Sequence, residues 1–230
     1  MHKPLARYRV ISSISCILLV AAFALFLLVA ISLPIVKPVY LFTLQSTVQP
    51  DVPTSIAQKV RFGAWGLCAS SALQENVACI GPQLRYTIPE SVVALAGFSP
   101  LVVNILQTGL LAVLILHPIA AAIVFVAAFF SLFLGSHGFA IFVLLLTILA
   151  AIASTIVLGV DFALVVTAKN QLAGLNGGSF GLEIVFGNGV WLMLVGCAMV
   201  WFAVLLLSAR VCYCCGVRRH HHHHHHHDSY

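Results

Sequence analysis

Four long apolar runs organise the chain, at residues 10–35, 106–134, 139–167 and 190–209, and polar or mixed stretches separate them. A bilayer crossing takes about 20 mostly apolar residues, so each run is long enough to span as a helix. The second and third runs are separated only by Gly135-Ser136-His137-Gly138, a turn that makes them an antiparallel hairpin. Between the first and second runs, residues 36–105 change period. Within residues 59–82, KVRFGAWGLCASSALQENVACIGP, the positions Val60, Phe62, Ala64 and Gly66 alternate with Arg61, Gly63, Trp65 and Leu67, which reads as a half-buried strand. Residues 40–44 and 83–88 are further strand candidates, enough for a small sheet spanning residues 40–88.

The pattern therefore predicts an all-α membrane protein: a four-transmembrane-helix bundle with a small β-sheet in its first long loop. Residues 1–9 precede the first span, 168–189 form a Gly-rich loop and 210–230 form the tail. Pro34 and Pro38 end the first helix. A signal peptide is the alternative reading of that first run, with small residues near Ala30 and Ser32 as the cleavage region. Against it, an apolar run of this length exceeds the 7–15 residues of a signal core. Small residues, Ala120-Ala121-Ala122 in the second run and Ala150-Ala151 with Ala153 and Ser154 in the third, let membrane helices approach closely. The same alanines also occur simply because apolar helices are rich in Ala.

Composition agrees. The chain is 61% hydrophobic and 7% charged, against about 25% charged in soluble domains. Its Lys and Arg form no basic stripe, so nucleic acid is not an expected partner. Lys3, Arg7 and Arg9 precede the first run, and Arg210, Arg218 and Arg219 follow the fourth, so both termini of a multi-pass membrane protein are expected in the cytoplasm. Lys37, Lys59, Arg61 and Arg85 then fall in the outer loop, where long segments translocate largely regardless of charge.

That sidedness sets the expectation for Cys68 and Cys79. In an oxidising space the two pair as a disulfide, worth about 3 kcal/mol in the chain-entropy model, and otherwise they are two free buried thiols. As a bridge they would form the core of the sheet with the Phe62 and Trp65 rings, leaving the stretch that contains Phe62, Trp65 and Leu67 as the partner-binding loop. Cys16 and Cys197 lie within spans as small hydrophobes. Cys212, Cys214 and Cys215, beside the expected cytoplasmic face, are positioned for reversible palmitoylation. The run His220 to His227 is a tag or a low-complexity tract, and as a metal site it has no fixed geometry.

Candidate chemistry is sparse. No catalytic residue, cofactor site, metal site or small-molecule substrate is expected. The Gly-rich loop GLNGGSFGLEIVFGNG has neither a preceding soluble strand nor the Gly-Lys-Ser/Thr of a phosphate loop. The intramembrane polar residues are His117, followed by Pro118, and Asp161. A carboxylate at a span centre costs about 2.5–3.5 kcal/mol on insertion scales, so Asp161 is expected to face the bundle and find a partner. Counted from the outer surface the two residues lie at similar depth and can pair. The pair reads either as a packing contact that locks the hairpin or as a site for proton or ion handling.

Several stretches together resemble a known family. FGAWGLC with a second Cys is similar to the outer-loop signature of claudin-type four-span proteins, although Cys68 stands where the second aromatic falls. LILHPIAA at residues 114–121, VDFALVVTAKNQL at 160–172 and GNGVWLML at 187–194 resemble the fungal PalI family, related to the cortical-patch tetraspan proteins. The resemblance implies a claudin-like fold and a non-enzymatic plasma-membrane protein that assists an ambient-pH sensing complex or organises cortical domains. Its expected partners are the lipid bilayer and a larger membrane protein or further copies of itself. A claudin-like adhesion or barrier role, or a small ion or proton transporter using His117 and Asp161, is the alternative. Members tied to pH signalling often carry a long hydrophilic tail, and here residues 210–230 follow the last run.

Overall fold

The computed structural model describes residues 4–33, 35–46, 59–70, 78–82, 100–133, 137–176 and 182–215. Four helices run through it: α1 (Pro4–Ala30), α2 (Pro100–Ser131), α3 (His137–Asn176) and α4 (Asn188–Cys215). Each contains a stretch long and apolar enough to cross a membrane, namely Val10–Ala30, Gln107–Ser131, Gly138–Gly174 and Asn188–Val211. The bundle closes as a ring, because α1 packs on α2 and α4, and α3 packs on the same two helices.

Small side chains make that packing close. On α3 the fully buried line runs through Val143, Thr147, Ala150, Ala151, Ser154 and Val157, and α2 contributes Ala120, Ala121, Val124, Ala127 and Ala128. Lipid tails are as apolar as a protein core, so contact between helices must come from van der Waals fit and not from escape from water. A Cβ on Gly196 of α4 would strike the Phe26 ring of α1, and one on Gly109 of α2 would meet Leu164 Cδ1 at 2.5 Å. Large side chains such as Phe202, Leu205 and Trp191 point outward. In a membrane they face lipid.

Among the described residues, the strands lie at one end of the bundle. They are β1 (Phe42–Ser46), β2 (Lys59–Phe62), β3 (Leu67–Ser70), β4 (Ala78–Ile80) and β5 (Leu182–Phe186), paired antiparallel in the order β4-β3-β2-β1-β5. The register puts Phe186, Phe42, Phe62, Leu67 and Ile80 in one row across the sheet, with Ile184, Leu44 and Val60 on the same face. This face meets the bundle. Phe42 stacks on Phe62 at 4.6 Å between ring centroids, and Phe186 reaches Phe162 of α3 at 5.6 Å.

Four expectations change. The alternation read through residues 60–67 as one strand is a hairpin: β2 ends at Phe62, Gly63 donates its N–H to the Gly66 carbonyl at 2.9 Å, and β3 begins at Leu67. The Gly-rich loop is shorter than expected, since α3 continues to Asn176 and Leu182–Phe186 becomes the fifth strand. Cys68 and Cys79 are joined, as expected in an oxidising space. Their bridge is not in a core with Phe62 and Trp65, however, because Cys68 pairs in register with Arg61 and so lies on the opposite face from Phe62. Finally, α1 ends at Ala30, ahead of both prolines, and α4 continues beyond residue 209 to Cys215. The strand expected at residues 83–88 and the His run lie outside the described residues.

Candidate functional site

The residues set apart by the sequence gather at the junction between sheet and bundle. The end of α1 illustrates why. The last carbonyls of a helix have no partner within it. Here Ile31 N–H donates to the Leu27 carbonyl, Ser32 N–H to Val29, and the Trp65 indole Nε1–H to Ala30 at 2.6 Å. Trp65 therefore closes the helix from the β2–β3 turn. The turn is fastened further by Trp65 N–H to the Leu33 carbonyl at 3.1 Å and Ala64 N–H to Ser32 Oγ at 2.9 Å. Gly63 makes the approach possible, since a Cβ there would lie 2.5 Å from that of Leu33.

The start of α4 is held to the same region. Asn188 bridges with both ends of its amide: Oδ1 accepts from Tyr40 N–H at 3.2 Å, and Nδ2 donates to the Pro38 carbonyl at 2.5 Å. On either side of it, Gly187 N–H donates to the Leu41 carbonyl at 2.7 Å and Gly189 N–H to Tyr40 at 2.9 Å. A Cβ on Gly187 would overlap the backbone of Tyr40 and Leu41. The Gly-Asn-Gly sequence is thus a backbone clasp. It joins the start of α4 to residues 38–41, which lead into β1.

Beneath this junction are His117 and Asp161, with Nε2 and Oδ2 3.2 Å apart and both side chains at 0% exposure. Their depth follows from contacts across the bundle. Ser154 Oγ meets Cys197 Sγ at 3.6 Å, and Gly196 touches Phe26, so these residues share a level. Asp161 lies two turns further along α3, about 10 Å towards the sheet. The same step along α4 reaches Val190 in its first turn, and along α1 it passes Ala30. The pair therefore lies at the level where α1 has ended and α4 begins, while α2 and α3 continue past it towards the sheet.

The proton count of the pair is constrained. His117 Nδ1 is 2.8 Å from the Val113 carbonyl, which can only accept, so Nδ1 carries a hydrogen. The Nε2–Oδ2 contact then needs one more proton. On Nε2 it makes an imidazolium–carboxylate pair, and on Asp161 it makes two neutral groups. Both arrangements are neutral overall, which suits a fully buried site. Although the atoms are close, they are not aligned as a hydrogen bond, and Nε2 and both carboxyl oxygens have no aligned partner. The pair does not make a metal centre: among the described residues no three His, Cys, Asp or Glu side chains come together.

A second polar cluster, which sequence reading did not single out, sits one level deeper. Ser154 and Thr155 donate to the Ala151 carbonyl at 2.9 and 2.8 Å, both hydroxyls lie 3.6 Å from Cys197, and Trp201 Nε1–H donates to Thr155 Oγ1 at 3.1 Å. These groups are neutral and satisfied. Of the expected partner-binding residues, Phe62 and Leu67 are buried at 3% and 2%, whereas Trp65 is partly exposed. Cys16 is partly exposed and Cys197 is buried. Positions 212, 214 and 215 are in the last turn of α4, beyond its candidate span.

Four apolar helices in a ring, crowned at one end by an antiparallel sheet with a disulfide, define a multi-pass membrane protein of claudin-like fold. Comparison with known families carries this further: the SUR7/PalI family matches residues 11–204, and the chain belongs to it. A comparison with curated proteins found no match.

Proposed function

We propose that the protein is a non-enzymatic accessory or scaffold subunit of the plasma membrane, working through its surfaces and not through an internal path. The observation that carries this reading is how its polar residues are used. His117 faces Asp161, Trp65 closes α1 and Asn188 clasps residues 38–40, so the conspicuous side chains serve as internal joints. Among the described residues, the surfaces open to a partner are the exterior of the sheet, where Lys59, Glu183 and Val185 are exposed, and the apolar helix faces. Trp65 lies at the rim of that exterior, with Phe62 and Leu67 shaping it from within.

The proposed orientation has both termini in the cytoplasm and the sheet outside. The Lys and Arg flanking α1 and α4 support it, and so does a disulfide at the sheet end, since such bonds persist in oxidising compartments. The partner is a larger membrane protein or another copy of the chain. Cross-linked complexes recovered from native membranes test this: a partner retained in Asp161→Asn and lost when Lys59 and Glu183 are both reversed in charge supports the scaffold. Proton or ion flux through proteoliposomes, abolished by Asp161→Asn, would instead favour a transporter.

Assistance to ambient-pH sensing is the more specific form of this role, and the His117–Asp161 pair favours it over adhesion. Both groups are fully buried and face each other directly below the sheet. If the reading holds, complex formation by the native chain varies with external pH and that of His117→Gln does not.

A further inference from the structure

The disulfide is asymmetric. Cys68, on β3, is 1% exposed, with Leu67 beside it at 2%, whereas Cys79 is an exposed residue of β4 and its neighbour Ile80 is 36% exposed. The two half-cystines face each other directly in register, and β4 is a three-residue strand at the end of the sheet order. The sheet therefore offers one sulfur at its edge and keeps the other inside. After Ile80 the chain turns at Gly81, whose φ of 119° is a conformation that glycine adopts readily.

We propose that Cys79 is a site of reversible S-thiolation by small monothiols, with Cys68 as the leaving thiol. An attacking thiolate must approach along the S–S axis from behind the sulfur it attacks. Cys79 is the exposed half of the bond and Cys68 the buried half, so attack is expected at Cys79. In the step, a bond forms between the incoming sulfur and Cys79 Sγ while the Sγ–Sγ bond breaks. The electron pair leaves on Cys68, which then takes a proton. The incoming thiol is oxidised to the mixed disulfide and Cys68 is reduced, so no other oxidant or reductant is needed. Attack by the Cys68 thiolate on the mixed disulfide reverses the reaction and expels the small thiol.

The consequence is local. Without the covalent bond β4 is held to β3 by three register pairs, too few for a stable hairpin on their own. Thiolation therefore frees the sheet edge and exposes β3 as a new one, while β2, β1 and β5 keep their attachment to the bundle.

The test uses the full chain in nanodiscs, exposed to reduced glutathione without denaturant, alkylated and digested for mass spectrometry. The expected product carries glutathione on Cys79 and the alkyl group on Cys68, with adduct at Cys79 exceeding that at Cys68 by about tenfold or more. Equal adducts at both positions, an excess at Cys68, or no exchange short of denaturation would overturn the proposal. Single variants give a second measure that does not depend on the exchange. The free thiol of Cys68→Ser should react with a bulky maleimide at once, and that of Cys79→Ser more slowly, at a rate set by how often β4 leaves β3. Similar rates for the two would also contradict it.

Discussion

The two sides of the sheet are attached by different means. On one side, β5, β1, β2 and the β2–β3 turn are joined to three helices by backbone and side-chain hydrogen bonds, close glycine contacts and a row of phenylalanines. On the other, β4 hangs on β3 by a short ladder and one disulfide. The difference reverses an intuitive assignment of roles. A covalent staple looks like the device that turns a loop into a domain, yet here it fastens an edge, and non-covalent joints seat the domain on the bundle.

Substitutions can break the two attachments separately. The largest effect is expected from Gly187→Val, which forces a side chain into the backbone at Tyr40 and Leu41. Overpacking of this kind costs about 3 kcal/mol or more, and hydrogen exchange should show β1 and β5 losing protection together. Next comes Asp161→Ala, which leaves His117 buried without its counterpart. A loss of about 3 kcal/mol is expected in thermal unfolding, and Asp161→Leu combined with His117→Leu should recover much of it, because removing both partners is far less harmful than removing one. Trp65→Phe keeps the ring and deletes one hydrogen bond to Ala30, for about 1 kcal/mol, read as faster exchange at the amides after α1.

The smallest effect on the bundle-side joint should come from the double change Cys68→Ser with Cys79→Ser. It should loosen residues 78–80 and leave β1, β2 and β5 protected. A general loss of protection across the sheet would make the staple, and not the joints, the organising element.

Much of this architecture is legible in the residues, and the parts that are not have physical reasons. The four spans follow from apolar length alone. The facing of His117 and Asp161 follows from their similar distance to the outer surface and from the cost of leaving a carboxylate unpaired. What they do not show is that α1 ends and α4 begins at that level, because the apolar stretch of α3 runs well past it. Residues 182–186 do alternate, with Glu183 and Val185 on one face and Ile184 and Phe186 on the other. The glycines around them read as a loop, and what makes them a strand is the distant partner β1. In FGAWG the alternation was real but short, and the two glycines that spoil it are what the hairpin needs. The disulfide was foreseeable as a pair; its face was not, because a one-residue change in strand register moves every side chain to the opposite side.

The stretches that carry the family resemblance take on a common meaning. The Trp of FGAWGLC closes α1, the Gly-Asn-Gly of GNGVWLML clasps residues 38–41 ahead of β1, and the His and Asp of the other two stretches meet below the sheet. Each is a joint. The central claim is that these joints, and not the Cys68–Cys79 bridge, hold the sheet on the bundle. The most direct test is amide hydrogen exchange in nanodiscs, comparing β1 in the native chain, in Asn188→Ala with Trp65→Phe, and in Cys68→Ser with Cys79→Ser. The account predicts that β1 exchanges about ten times faster or more in the joint variant and at the native rate in the disulfide variant. Native-like protection in the joint variant, with fast exchange in the disulfide variant, would contradict it.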